Sequence, residues 1–276
     1  MKSIIYYRDD AKGPRELERE IRPYLMAKGV DVVSVTPKDS GACETTTFDD
    51  GSFVLSLGGD GTFLRAARLS IQAGLPVLGI NPGLLGFLTD VEQPEVYASL
   101  DAVLAGSYSV ERRLVLEARV VREGQDVFGA VAVNEVMLVR ETTGKILSLE
   151  VTIGGVQAGQ LTADGVLVAT PTGSTGYCLS VGGPIVDPMV EALVIAALAP
   201  HDLTSRPLVV PASSEITLKV GSLRDGALFM RDGERIGEVR ESDTVVVRRH
   251  VADLAILRLR EKNFYKVLST KFHWGT

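Results

Sequence analysis

Long apolar runs are missing from this 276-residue chain: the longest, Ala192–Ala199, has eight residues. A membrane-spanning helix needs about 20, so the expectation is no membrane partner. Met1 to Asp10 lacks the apolar stretch of a signal peptide and meets two acids at once, which points to a cytoplasmic protein. Cysteine is scarce. Cys43 and Cys178 cannot build a disulfide framework, and neither has metal-like CxxC or CxxH spacing. The three histidines, His201, His250 and His273, are widely separated, which argues against a structural zinc site. No run of five like charges occurs, and the net charge is −6. A grip on a phosphate backbone wants a basic surface, so nucleic acid is not the expected partner.

What is present is ordinary for a folded globular protein: 45% apolar and 23% charged residues. The first ninety residues alternate strand and helix. Apolar runs at Ser3–Tyr7, Asp31–Val35, Phe53–Leu57 and Val77–Ile80 are separated by helical spacing in Pro14–Lys28 and Thr62–Ala73. This rhythm predicts an α/β domain with a parallel, Rossmann-like sheet. Another helix is expected at Pro94–Ala105. Near residue 107 the pattern changes to period two, at Val110–Arg122, Val127–Val139, Leu147–Ile153, Glu215–Val220, Ala227–Met230, Thr244–Arg248 and Leu254–Leu259. That reads as an all-β, sandwich-like C-terminal domain. The expected division is 1–106 and 107–262. The tail 263–276, with Phe264, Tyr265, Leu268, Phe272 and Trp274, is expected to pack back onto the first domain.

Three local patterns carry chemistry. Gly58-Gly59-Asp60-Gly61-Thr62 follows an apolar strand and opens a helix. Glycines there allow a sharp turn and close backbone approach, and a helix start favours an anion. Asp60, between three glycines, is expected to face a ligand rather than to pack. An acid in a phosphate cradle repels its ligand, so Asp60 makes sense as a proton acceptor or metal holder. It also reads as the first-turn acid of a simple capping turn. The second pattern, Thr170-Pro171-Thr172-Gly173-Ser174-Thr175-Gly176-Tyr177, follows Asp164-Gly165 and the strand Val166–Ala169. Small hydroxyls and glycines suit a polar ligand, with Tyr177 placed to stack on a base; a Ser/Thr-capped loop is the plainer reading. The third is Asn134-Glu135, set in the apolar run Val131–Val139. Buried and unpaired, the two would be costly. They suit sugar hydroxyls, or a bulge or strand edge.

Taken in order, GGDGT, Asn81-Pro82-Gly83 with Gly86-Phe87-Leu88-Thr89, Asn134-Glu135 and the TPTGST block with Gly182-Gly183-Pro184 resemble the NAD kinases. Thr204-Ser205-Arg206-Pro207, the turn Asp232-Gly233 and the aromatic ending add to the likeness. The resemblance implies phosphoryl transfer from ATP or polyphosphate to the 2′-hydroxyl of the adenosine ribose of NAD. Asp60 matches the family's general base, and Gly58, Gly59, Gly61 and Arg65 match the phosphate and NAD site. Asn134 and Glu135 match the pair that holds NAD. Lys145 and Thr162 fall near variable contacts, and Asp164 matches an acid that meets the NAD amide or base. Ser174, Thr175, Gly176, Tyr177, Cys178, Leu179 and Ser180 match the loop that closes on the nucleotide. Gly176 and Cys178 replace the family's usual Ala and Ser, and Glu234 stands where several members have Gln.

The resemblance also implies Mg2+ or another divalent cation held mainly through ATP phosphates, with no protein metal ligand, and a homodimer or homotetramer. The chemistry agrees. A ribose hydroxyl is a weak nucleophile, and in-line transfer needs it held, its proton accepted and the spreading charge neutralised. A GGDGT lipid kinase would need an apolar slot and membrane affinity, and nothing basic and amphipathic is present. A non-catalytic NAD(P) sensor would be expected to lack the base, and Asp60 is intact.

Overall fold

The computed structural model describes residues 1–38, 48–83, 86–141, 146–221, 226–261 and 263–273. Cys43, Lys145 and Trp274 lie outside them. The early apolar runs form a parallel sheet. The elements are β1 (Lys2–Tyr7), α1 (Lys12–Ala27), β2 (Asp31–Val35), β3 (Phe53–Leu57), α2 (Asp60–Ala73), β4 (Val77–Asn81), β5 (Val91–Glu92), α3 (Val96–Leu104) and β6 (Ser109–Arg113). The strand order is β2-β1-β3-β4, then a returning strand Leu254–Arg258, then β6, with β5 also on β4. β1 pairs in parallel with both β2 and β3. The chain therefore leaves β1 on one side and resumes on the other, and ligands of open α/β sheets bind at the carboxyl ends beside such a switch. β3 and β4 are buried throughout, as expected for strands covered on both faces. Leu17, Ile21 and Leu25 of α1 are buried, and Gly74 ends α2 in the left-handed conformation.

The period-two stretches form two six-stranded sheets. Their strands are β7 (Leu116–Arg122), β8 (Gln125–Ala132), β9 (Glu135–Arg140), β10 (Leu147–Ile153), β11 (Val156–Ala163), β12 (Gly165–Ala169), β13 (Ala192–Leu198), β14 (Leu208–Pro211), β15 (Ile216–Val220), β16 (Ala227–Arg231), β17 (Glu234–Val239) and β18 (Thr244–Arg249). One sheet runs β11-β10-β15-β18-β7-β8 and the other β14-β13-β12-β9-β16-β17. Leu116, Leu149, Leu218 and Val247 of the first share one core with Val136, Val168, Leu193 and Phe229 of the second. β12 also buries its other face, Leu167 and Ala169, against Cys178 and Val194. That double burial explains its unbroken apolar run.

By contacts the chain divides into Met1–Arg112 with Leu254–Thr276, and Arg113–Asp253. Three continuous stretches of the sequence reading are divided or reassigned. Val110–Arg122 breaks at the buried Leu114 and Val115, so that β6 serves the first sheet and β7 the second unit. Val127–Val139 breaks at Val133-Asn134, where the chain crosses from one face of the sandwich to the other. Leu254–Arg258 pairs in parallel with β4 rather than within the sandwich. Alternation reports a half-buried strand but not which sheet owns it.

In the first unit, the terminal helix Phe264–Phe272 sets Phe264 and Phe272 against Phe87, at ring-centroid distances of 6.4 and 5.5 Å.

Candidate functional site

The first unit carries Asp60 at the carboxyl end of β3. Gly58 has φ +147°, and a Cβ there would stand 2.5 Å from Thr62 Oγ1, so the turn requires glycine. Gly59 caps α2 without a side chain, and its carbonyl accepts from Thr62 and Phe63. Gly61 is exposed, and a Cβ on it would meet nothing within 4 Å. Arg65 lies one turn further along the same helix face, half-buried.

Asp60 is not bare. It is half-buried, and its carboxylate accepts from the Phe87 N–H at 2.8 Å and the Leu88 N–H at 3.1 Å. These donors lie 27 and 28 residues away, and their side chains play no part in the bonds. Each oxygen takes one donor, and a carboxylate has about four lone-pair sites, so acceptor capacity remains. A Cβ at Gly86 would overlap the Asp60 carboxyl group.

The loop that fastens Asp60 is itself fastened. Arg258, 4% exposed, donates to the Leu88 carbonyl at 3.2 Å, bonds Asp90, and grips Glu111 with two bonds of 3.1 and 2.9 Å. The two carboxylates raise the pKa of this guanidinium against the opposing effect of burial. No motif marks Arg258, Asp90 or Glu111 in the sequence.

The second unit brings Asn134-Glu135 together with the TPTGST segment. The Asn134 carbonyl accepts from the Thr170 N–H at 2.8 Å, and Thr170 Oγ1 donates to the Val133 carbonyl at 2.7 Å. Gly173 packs so closely on the Asn134 backbone that a Cβ would overlap it. A Cβ at Gly176 would stand 3.4 Å from Asn134 Nδ2 and 3.6 Å from Glu135 Oε2. A helical turn, α4 (Tyr177–Ser180), follows. Tyr177, 45% exposed, joins Glu135, Met137, Met230, Asp232 and Gly233 around a cavity of about 310 Å³.

Asp232 organises this pair. Asp232 and Gly233 have φ of 43° and 78° and join β16 to β17 as a two-residue turn, the I′ geometry that Asp-Gly favours. The Asp232 carboxylate accepts from the N–H groups of Val133, Asn134 and Glu135 at 3.1, 2.7 and 3.3 Å. In the sequence it looks only like a turn residue.

Glu135 is 7% exposed. Its Oε2 and Asn134 Oδ1 are buried with no hydrogen-bond partner. Burial and, secondarily, the charge of Asp232 push the Glu135 carboxyl up to about 7. Unsatisfied buried acceptors cost free energy unless a donor arrives; a ligand hydroxyl is such a donor.

The other sequence candidates are distributed as follows. Ser174 donates to the Pro171 and Val186 carbonyls and accepts from the Val186 N–H, tying the loop to its return. Thr175 bonds the Thr172 carbonyl. Cys178 is fully buried, its thiol pushed up to about 11 by desolvation and by Glu135. Leu179 is half-buried and Ser180 exposed. Thr162 is exposed on β11, in the sheet that does not hold Glu135. Asp164 pairs with Arg140 at 2.8 Å, and Glu234 stands 3.7 Å from Arg231. None of these last three lines the cavity. Lys145 lies outside the described residues. Among the described residues no cluster of three His, Cys, Asp or Glu is placed to hold a metal ion, and no helix is long and apolar enough to cross a membrane.

Family models described as the ATP-NAD kinase N-terminal and C-terminal domains match residues 15–108 and 133–259. The chain is 35% identical over 255 residues to an NAD kinase of Magnetococcus marinus, covering 92% of this chain and 84% of that one. It is 39% identical over 236 residues to one of Geobacter metallireducens, covering 86% and 83%. The crystal structure of yeast NADH kinase complexed with NADH superposes with a TM-score of 0.87 at 25% identity, covering all of this chain and 88% of that one. An Archaeoglobus fulgidus NAD kinase solved with ATP shares the fold, with a TM-score of 0.78 at 24% identity, covering 99% of each chain. On these grounds the chain belongs to the NAD kinase family.

Proposed function

We propose that the protein phosphorylates the 2′-hydroxyl of the adenosine ribose of NAD, with ATP as donor, giving NADP. The single observation that carries this reading, beside family membership, is the pair of buried, unpartnered acceptors on Asn134-Glu135 beside a cavity walled by Tyr177. Sugar hydroxyls satisfy such acceptors, and the Tyr177 ring offers a face to a base. The Thr175–Ser180 segment, which carries Tyr177, supplies further contacts in this reading; Thr162, Asp164 and Glu234 stand away from the cavity and are given no part in it.

Asp60 accepts the proton of the attacking hydroxyl through the lone pairs that Phe87 and Leu88 leave open. The N–H groups of Asp60 and Gly61, which open α2 ahead of the Thr62 and Phe63 bonds to Gly59, receive phosphate oxygens. Arg65 lies on the same face and adds positive charge. A divalent cation carried on the ATP phosphates offsets their charge; polyphosphate is the alternative donor. The same proposal places the protein in the cytoplasm as a homodimer or homotetramer. The half-exposed Leu208 and Val209 on the edge strand β14 offer a face for that assembly.

A coupled assay for NADP, run with ATP and polyphosphate side by side and with EDTA, tests the activity. Asp60→Asn keeps the shape and removes the basicity. Its turnover is expected to fall by about 10²–10⁴ while NAD still binds. Near-normal turnover refutes the base. Joint loss of turnover, binding and melting temperature assigns Asp60 to holding the Gly86–Leu88 loop.

A further inference from the structure

We propose that Asp232 is a positioning residue that keeps Glu135 partly protonated in the free protein, so that NAD binding is coupled to release of a proton from Glu135. The inference rests on the reading that this cavity takes NAD.

The geometry carries it. Glu135 opens β9 with Ala169 of β12 beside it on one side and the Asp232 turn on the other. The Asp232 carboxylate grips the Glu135 backbone N–H, and the Asp232 N–H returns a bond to the Glu135 carbonyl at 3.0 Å. The Asp232 carboxylate is thereby fixed to the backbone of Glu135, and both residues line one cavity; the Glu135 carboxyl itself is 7% exposed with no donor on Oε2. The titratable and charged groups around Glu135 are Asp232 on the turn, Tyr177 and the Cys178 thiol on α4, and Arg231 on β16, which stands 3.7 Å from Glu234. None is a cation in contact with Glu135 among the described residues. A buried acid beside a like charge holds its proton. Burial and Asp232 both push Glu135 up, to about 7.

Ribose hydroxyls bring donors, and donors favour the ionised carboxylate. The carboxyl proton then leaves to the buffer, while the sugar hydroxyls keep theirs and donate hydrogen bonds. Binding strengthens with pH up to the point where free Glu135 is already ionised. If only the ionised form binds, affinity rises about tenfold from pH 6 to pH 8.

Asp232→Asn separates charge from architecture. Asn-Gly serves the same I′ turn as Asp-Gly, and Oδ1 still accepts from Asn134 and Glu135, while the Val133 N–H loses its acceptor on Oδ2; the melting temperature of the variant, recorded beside its binding, shows that the fold is kept. Calorimetry of NAD binding to the full protein, in phosphate and in Tris, counts the protons exchanged. The parent is expected to release about half a proton at pH 7 and almost none at pH 8.5. Burial still acts on Glu135 in Asp232→Asn, so the variant is expected to release fewer protons than the parent at pH 7 and to show a shallower rise of affinity from pH 6 to pH 8. Titration of 13C-labelled glutamate carboxyls in the ligand-free parent gives a second reading that needs no variant. No proton release by the parent, or equal release by Asp232→Asn, overturns the inference while the NAD site stands. If Glu135→Gln binds NAD as tightly as the parent, the reading of the site itself fails.

Discussion

Glu135→Gln is expected to make the fold more stable while it damages the site. The unfolded chain releases the Glu135 proton near the ordinary value of 4.5, and the folded chain holds it to about 7. Between those values the folded state binds more protons than the unfolded state. Stability therefore falls as pH rises through that window, and the loss is complete above about 7. At about 1.4 kcal/mol per pH unit the full loss is about 3 kcal/mol. Gln has the same shape and no charge, so it escapes this cost and gains a donor that can face Asp232. Urea unfolding of both proteins at pH 5, 6, 7 and 8 reads the effect directly. The variant should lead by less than about 1 kcal/mol at pH 5 and by about 3 kcal/mol at pH 8. In a melt this is a rise of roughly 2–4 °C per kcal/mol. NAD affinity should fall in the same variant. A variant no more stable than the parent at pH 8, or a difference that ignores pH, would refute the claim that Glu135 is buried without compensation.

Two further outcomes test the first unit. Gly61→Ala fits the helix and meets nothing, so stability should hold or rise by up to about 1 kcal/mol; turnover should fall at least about tenfold if phosphate approaches the backbone there, and unchanged turnover removes that approach. Gly86→Ala puts a methyl group where the Asp60 carboxyl lies, so the carboxylate must leave the Phe87 and Leu88 donors. Turnover should then drop by about 10²–10⁴ with the chain still folded by circular dichroism, and parent-like turnover would show that this anchoring is dispensable.

The elements were legible where one physical signal decides them. β3 lies at Phe53–Leu57, and α2 ends at Gly74, because an unbroken apolar run and a glycine stop allow few alternatives. Sheet membership was not legible. Val127–Val139 alternates as one strand, yet Asn134 lies at a crossover between two sheets. Asn134 is tolerated there because the chain has left one ladder and not yet joined the next, whereas Glu135 already opens β9 opposite Ala169. The motifs showed which glycines matter but not what presses on them. Gly86 is required by Asp60, 26 positions earlier, and Gly173 by the backbone of Asn134.

The residues that escaped sequence reading act on backbone rather than on side chains. Phe87 and Leu88 serve Asp60 through N–H groups that nearly any residue would supply, so their identity carries no sign of the role. Asp232 serves Asn134-Glu135 through three N–H groups, and its own identity is already explained by the turn it occupies. Arg258 reaches the Asp60 loop through a carbonyl. Such contacts fix a reacting group without leaving a motif, because a backbone donor has no sequence signature and its partner has a second, plainer reason to be there. The two carboxyl groups then differ in one respect that bears on chemistry. Both oxygens of Asp60 have a donor within the protein, while Oε2 of Glu135 has none. The fold orients the first group with backbone donors and leaves Oε2 of the second for the ligand to satisfy.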